Sequence, residues 1–239
     1  MVVTCQQMAD AEAALFETGV SAEPYMDEAG RRCAESIRQF FPAPADAVVY
    51  CGKGNNGGDA LVIARWLRRW GWQVELMFSH GANGLSELGA KKLAEFEAEP
   101  IPLASVPGGK DLVIVDGLLG IGRRGELRGP IATQAKQLNA LRKERRATCF
   151  AIDLPSGLNG DAGSPATDTV IADYTLSICQ PKQGFAADDA TNHLGRLVEI
   201  PLDIPVTEGN EEIRFLFPSN LLPRLPLRSF DTHKGGAGR

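Results

Sequence analysis

The stretch from Val48 to Trp70 constrains the fold more than any other part of the chain. Val48 to Cys51 is a short apolar run typical of a buried strand, and Ala60 to Trp70 predicts a helix that ends before Gly71. The residues between them read GKGNNGGD. Glycines permit tight turns and close approach of a ligand to the backbone, and a helix N-terminus attracts anions. The stretch therefore predicts an anion-binding turn, with phosphate as the first candidate.

The glycine spacing satisfies the dinucleotide-binding pattern G-x-G-x-x-G through Gly52, Gly54 and Gly57. A Rossmann dehydrogenase also carries an acidic residue about 20 positions further on, at the end of the next strand. That strand, Gln73 to Ser79, is followed by His80 instead. The loop is not a Walker A motif, because no Gly-Lys-Ser/Thr follows the glycines. An ordinary NAD-dependent dehydrogenase is therefore disfavoured and stays a distant candidate.

Three polar residues, Asn55, Asn56 and Asp59, stand inside this loop. A carboxylate beside a phosphate site would repel the ligand, so Asp59 indicates a bound cation, helix capping or proton chemistry. An ordinary Asn/Asp-rich turn explains one such residue more easily than all three.

Composition predicts one sizeable α/β domain, since the chain has 239 residues of which 44% are hydrophobic. A net charge of -5 gives no basis for binding nucleic acid or an anionic membrane. No apolar run approaches the ~20 residues that span a bilayer, and the N-terminus does not resemble a signal peptide, so we expect a cytoplasmic protein. The five cysteines lie mostly in apolar runs, which favours buried thiols over disulfides or zinc.

Two helices are predicted before the first strand. Thr4 and Gln7 predict a capping box for a helix that runs to Glu17, and a second helix is predicted from Glu23 to Phe41. Gly30 in the second helix indicates a close helix contact. This N-terminal helical pair could serve dimerisation or cover a ligand cleft.

Strands and helices then alternate. The remaining predicted helices are Ser86 to Glu97 and Pro130 to Leu141, and the remaining strands are Leu112 to Val115, Thr148 to Ile152, Tyr174 to Cys179 and Arg196 to Ile200. This order predicts a Rossmann-like, doubly wound α/β fold: a mostly parallel sheet with helices on both faces.

Three carboxylates, Asp59, Asp116 and Asp153, follow the carboxyl ends of predicted strands. Each alone could be a helix cap, but together they would meet at one edge of the sheet. Uncompensated, they would raise one another's pKa, which implies a bound cation or tuned acid–base chemistry. The neighbouring Asn, Ser and carbonyl oxygens suit an alkali or alkaline-earth ion better than a transition metal.

Five segments follow one another along the chain: MDEAG, GKGNNGGDA, DGLLGIG with RGP, AIDLPSGLNGDAG and QPKQG. In this order they resemble the successive motifs of the YjeF N-terminal domain family, the NAD(P)H-hydrate epimerases. The resemblance covers about residues 1–205. It implies a Rossmann-like, often dimeric isomerase that interconverts the R and S forms of NADH and NADPH hydrated at nicotinamide C6, a metabolite-repair reaction. One departure is Ala60, where the family usually has glycine.

The resemblance also implies roles for particular residues. It places a potassium ion on Asn56, Asp116 and Ser156. Substrate would be bound by Asn55, Asn56, Gly57, Gly58, Asp59, Gly120, Ile121, Gly122, Arg123, Arg124, Gly125, Glu126, Asp153 and Lys182. A surface lysine in a turn is the alternative for Lys182, and solvated loop charges are the alternative for Arg123 and Arg124, which could clamp a 2′-phosphate.

We expect Asp153 to carry the proton in catalysis, with Asp59 as the second candidate. The competing function is a non-catalytic nucleotide-binding or scaffold module of the same fold. The segment HKGGAGR resembles the start of an ADP- or ATP-dependent dehydratase domain. We accordingly expect residues 1–218 to form the epimerase domain, and residues 219–239 to be a linker and the beginning of a fused dehydratase partner.

Overall fold

The computed structural model describes residues 2–100, 111–122 and 125–206. Its helices are α1 (Cys5–Glu17), α2 (Glu23–Phe40), α3 (Asn55–Arg69), α4 (Glu87–Ala98), α5 (Gly129–Arg145) and the short α6 (Thr191–Leu194). Its strands are β1 (Asp46–Cys51), β2 (Gln73–Phe78), β3 (Leu112–Gly117), β4 (Thr148–Ile152), β5 (Tyr174–Ile178) and β6 (Arg196–Ile200). The predicted domain boundary at residue 218 and the segment 219–239 lie outside the described residues.

The strands form one six-stranded sheet in the order β2-β1-β3-β4-β5-β6, and all described pairings are parallel. The predicted doubly wound α/β fold is confirmed. The strand order reverses at β1, since the chain moves outwards to β2 and returns to β3 on the other side. Open parallel sheets bind ligands beyond the carboxyl ends of the strands at such a switch point. The loops that follow β1 and β3 meet there.

Helices cover both faces of the sheet. On one face, Cys33 of α2 and Leu61 of α3 join a core cluster with Val49 of β1. On the other face, Leu138 of α5 packs with Ile114 of β3. All five cysteines are free and buried, as predicted. Within the described residues, no helix is long and apolar enough to cross a membrane.

The predicted details of the N-terminal helices are confirmed. The Thr4 hydroxyl accepts a bond from the Gln7 amide at 3.0 Å, and the Gln7 side chain accepts one from the Thr4 amide at 2.8 Å, which completes the capping box. Gly30 permits α2 to approach α3, because a Cβ at Gly30 would lie 2.5 Å from Cβ of Val62.

The predicted start of α3 at Ala60 is wrong, because the helix begins at Asn55. The Gly54 carbonyl accepts bonds from the amides of Gly57 and Gly58 at 3.0 and 3.3 Å, which closes the first turn inside the glycine-rich segment. Glycine has a low intrinsic helix propensity, and two adjacent glycines, Gly57 and Gly58, lie in this turn. A prediction from helix propensity therefore begins α3 too late in the sequence. Asn55, Asn56 and Asp59 therefore lie on the first turns of a helix rather than in a loop.

Candidate active site

A buried ion pair lies at the carboxyl edge of the sheet. Asp153 directly follows β4 with a left-handed backbone (φ 65°), a conformation that aspartate tolerates better than most residues. Its carboxylate accepts a hydrogen bond from Nζ of Lys182. Lys182 Nζ also donates to the carbonyl oxygens of Ile178 at 3.1 Å and Gln180 at 2.9 Å. The lysine is 0% exposed with all three donors used, so the alternative of a surface lysine is wrong.

The extended start of the chain holds this lysine in place. The Val3 amide donates to the Pro181 carbonyl at 3.0 Å, and the Gln183 amide donates to the Val3 carbonyl at 2.9 Å. These bonds flank Lys182 and form a parallel bridge between it and Val3. Because α1 begins at Cys5, the bridge also fixes α1 relative to the buried ion pair.

A small cavity of about 90 Å³ opens beside the ion pair. Its polar walls are Asn55, Asn56 and Asp59 of α3, together with Asp153 and Lys182. The two N-terminal helices complete it with Glu12 and Phe16 of α1 and Tyr25, Met26 and Ala29 of α2. Of the two roles predicted for the helical pair, covering a ligand cleft is the one that this geometry supports.

Two further carboxyl groups in this cavity have raised pKa values. Burial raises the pKa of Asp59 well above its usual range, and the charges of Asp153 and Glu12 add to the effect. Burial raises the pKa of Glu12 to about 7; Asp153 adds to this shift and Lys182 opposes it. The cavity therefore combines two carboxyl groups of raised pKa with an ion-paired carboxylate, which is an arrangement suited to proton transfer.

Sequence reasoning missed Glu12, although the sequence contains a signal for it. Cys5, Met8, Glu12 and Leu15 recur at helical spacing along the inner side of α1, and Cys5 and Met8 are buried. A carboxyl group within such an apolar stripe points towards the protein interior rather than towards solvent.

The third predicted carboxylate, Asp116, does not line this cavity and is hydrogen-bonded to Ser156 and Leu118 instead. It is 0% exposed and accepts bonds from the Ser156 amide at 2.8 Å, the Ser156 hydroxyl at 2.7 Å and the Leu118 amide at 3.2 Å. Burial raises its pKa to about 6, while these hydrogen bonds oppose the shift. Burial is thus the largest cause of the raised pKa at both Asp59 and Asp116; the predicted repulsion between carboxylates adds to it at Asp59, whereas at Asp116 that prediction is wrong.

The three predicted potassium ligands converge on the loop after β3. Asn56 Nδ2 donates to the Leu119 carbonyl at 2.9 Å, and the Leu119 amide donates to the Ser156 hydroxyl at 2.9 Å. Asn56 and Ser156 thus both bind the main chain of Leu119, and Asp116 joins them through its hydrogen bonds to Ser156. Amide, hydroxyl and buried carboxylate oxygens are hard donors that fit an alkali cation. Clusters of three or more His, Cys, Asp or Glu side chains suited to a metal are absent from the described part of the chain.

A larger cavity of about 360 Å³ lies on the other side of this contact. The loops after β1, β2, β3 and β4 line it, and the first three of these bring Lys53, His80 and Arg128 to its walls. The predicted substrate residues divide between the two cavities: Gly120, Gly125 and Glu126 line the larger one, and Ile121 lines the smaller one.

Some predicted substrate residues line neither cavity, namely Gly57, Gly58 and Gly122. A Cβ at Gly57 would lie 2.0 Å from the Gly52 carbonyl oxygen, and one at Gly58 would lie 2.6 Å from the Met26 side chain. Gly57 is therefore required for the packing of α3 against the Gly52 backbone, whereas Gly58 contacts only the flexible end of the Met26 side chain. Arg123 and Arg124, predicted to clamp a phosphate, lie outside the described residues.

Comparison with known proteins matches the sequence of this chain to one family. A family model described as YjeF-related protein N-terminus matches residues 22–184. The NAD(P)H-hydrate epimerase of Rhodopirellula baltica is 32% identical over 85% of this chain and 85% of its own length. The bifunctional NAD(P)H-hydrate repair enzyme Nnr of Coxiella burnetii is 31% identical over 98% of this chain. The chain spans about half the length of that bifunctional relative, 48%.

Among solved structures, a yeast protein, ynu0, has the same fold. It superposes with a TM-score of 0.66 at 20% identity, covering 83% of this chain and 87% of the yeast chain.

Proposed function

Because the chain belongs to the YjeF-related N-terminal family, we propose that it is an NAD(P)H-hydrate epimerase, an isomerase that interconverts the R and S forms of hydrated NADH and NADPH. The observation that carries the proposal is the buried Asp153–Lys182 pair, which faces Asn56 and Asp59 across a small cavity at the switch point of the sheet. Two relatives that resemble this chain over most of its length carry this activity in their names.

We propose that the hydrated nicotinamide ring occupies the small cavity and that the rest of the dinucleotide extends into the larger one. Asp153 and Lys182 line only the smaller cavity, so the reacting carbon must reach it. Lys53, His80 and Arg128 line the larger cavity, where the positive charges of Lys53 and Arg128 would attract the phosphates. Gly54, just before α3, lines the larger cavity, and Asn55 and Asn56 at the start of α3 line the smaller one.

Epimerisation at C6 by loss and return of the hydroxyl requires a proton on the departing oxygen and removal of a proton from the adding water. We propose Asp153 as the proton carrier, because it lies at the cavity wall with its carboxylate held by Lys182. Lys182 fixes the orientation of this carboxylate. General acid–base help of this kind contributes about 10²- to 10⁴-fold in rate.

We further propose that Asn56, Asp116 and Ser156 bind a potassium ion. Asp116 fits this role because it is a fully buried carboxyl group that, among the described residues, accepts bonds from neutral donors only. Bound there, the ion would supply a fixed positive charge near the anionic dinucleotide and order the Leu118–Gly120 loop.

The bifunctional relatives support a functional partnership between this chain and an NAD(P)H-hydrate dehydratase domain, which we propose as its partner. We also propose that the protein acts in the cytoplasm as a homodimer; this rests on the family resemblance.

Incubating the protein with R-enriched hydrated NADH and following the epimer ratio tests the proposal. We expect the ratio to approach equilibrium faster than in buffer alone. Binding of the dinucleotide without faster exchange would support the competing non-catalytic module. Production of oxidised or reduced cofactor would instead support a dehydrogenase.

A further inference from the structure

Helix α1 places one carboxyl group inside the reaction cavity. Glu12 is only partly exposed and lines the small cavity together with Asp59, Asp153 and Lys182. It comes from the helical wall of the cavity, whereas Asp153 comes from the edge of the sheet. The two carboxyl groups therefore approach a bound ring from different walls.

The start of the chain fixes the position of Glu12 relative to the ion pair. Residues on both sides of Lys182 hydrogen-bond Val3, and the Thr4 capping box starts α1 immediately afterwards. Met8, one turn before Glu12, is 2% exposed and packs in a core cluster with Val3. Glu12 thus sits on a helix that is anchored both at its end and along its inner side.

An epimerase must handle the hydroxyl on both faces of its ring, which a single carboxylate on one wall cannot reach. We propose that Glu12 is a second catalytic acid and base, which acts from the helical wall while Asp153 acts from the sheet edge. This inference rests on the proposed epimerase function.

In one direction, the Glu12 carboxyl group gives its proton to the C6 hydroxyl, the C6–O bond breaks and water leaves. The lone pair of the ring nitrogen forms a double bond to C6. Water then adds to the opposite face of C6, and its proton passes to the Asp153 carboxylate. The ring is restored with inverted configuration. Proton exchange with water then returns Glu12 to its acid form and Asp153 to its carboxylate form before the next turnover, and the reverse reaction uses the same two groups with their roles exchanged.

The surroundings of Glu12 suit this role at neutral pH. The titratable groups that face it come from four other parts of the structure: Tyr25 on α2, Asp59 on α3, Asp153 after β4, and Cys179 and Lys182 after β5. Burial raises the pKa of Glu12 to about 7; among these groups Asp153 adds to the rise and Lys182 opposes it. A group with a pKa near the working pH is the most effective proton carrier.

The test compares Glu12→Gln with Glu17→Gln, which makes the same charge change on the exposed side of α1. We expect Glu12→Gln to lower kcat about 10²-fold or more while KM changes less than about threefold. The wild-type rate should show a transition near pH 7 that Glu12→Gln abolishes. Glu17→Gln should match the wild type in both respects.

Glu12→Asp keeps a carboxyl group and should restore part of the rate and the pH transition, so it decides the question if Glu12→Gln fails to fold. An active wild type whose Glu12→Gln variant keeps its rate and pH profile would overturn the role of Glu12 alone. A Glu12→Asp variant without the pH transition would do the same. A wild type that does not exchange the epimers would overturn both this role and the proposed function.

Discussion

Lys182 and Asp153 form a buried ion pair that ties the loop after β5 to the carboxyl end of β4. The lysine uses all three of its donors within the protein, and the main chain on both sides of it is bound to Val3. The pair therefore holds the N-terminal segment, the sheet edge and the reaction cavity together. Its removal should affect both stability and activity.

We expect Lys182→Met to lower the free energy of unfolding by about 3–5 kcal/mol, because it leaves a buried carboxylate without its partner. Lys136→Met is the matched control, since Lys136 pairs with Asp168 at 3.2 Å while its side chain is 63% exposed. That control should cost less than about 1 kcal/mol. Urea unfolding of both variants measures the difference, and equal losses would contradict the structural role of the buried pair.

The contact between the loops after β1 and β3 depends on Gly52. A Cβ at this position would lie 1.9 Å from the Leu118 carbonyl oxygen, whereas one at Gly54 would meet no atom within 4 Å. We expect Gly52→Ala to destabilise the protein by about 1–3 kcal/mol through overpacking. Gly54→Ala should change the stability by no more than about 0.5 kcal/mol. Thermal unfolding compares them; a Gly52→Ala variant as stable as Gly54→Ala would show that the loops do not pack in this way.

Potassium should stabilise the folded protein, because a ligand that binds only the folded state shifts unfolding by mass action. At about 100 times its dissociation constant the gain is about 2.7 kcal/mol. The Tm should rise in potassium chloride relative to lithium chloride at the same ionic strength, and Asp116→Asn should remove the difference. A wild-type Tm that is the same in both salts would argue against the ion site.

The raised pKa of Glu12 predicts how stability depends on pH. Its pKa rises from 4.5 in the unfolded chain to about 7 in the folded protein. Below pH 4.5 both states hold the proton, whereas between pH 4.5 and 7 the unfolded chain loses it first. Stability from this group is therefore lost as pH rises through that range. Glu12→Gln should unfold with a flatter pH dependence there than Glu17→Gln; parallel curves would contradict the burial of Glu12.

Features set by local sequence were predictable. The Thr4–Gln7 capping box depends on residues three apart, and the alternation of apolar strands with helices was sufficient to predict the doubly wound sheet. The start of α3 could not be predicted in this way. The low helix propensity of Gly57 and Gly58 opposes a helix there, whereas the packing of these glycines against Gly52 and Met26 favours it.

In the candidate active site, too, some features could be predicted from local sequence and others depend on contacts between distant segments. Motifs placed Asp59 and Asp153 at one cavity, since strand ends of a parallel sheet share an edge. The burial of Lys182 and the presence of Glu12 depend on the bridge between Val3 and Lys182, which joins segments about 180 residues apart in the sequence. No local pattern encodes such a contact.

The most direct test of the proposed mechanism is the rate of epimer exchange in Asp153→Asn, measured beside the wild type. Asparagine keeps an oxygen acceptor for Lys182 but cannot carry the proton in the same way. We predict a loss of about 10²-fold or more in kcat, with binding of NADP, used as the probe, changed by less than about threefold. Near-normal exchange with normal binding would contradict the assignment of Asp153 as the proton carrier.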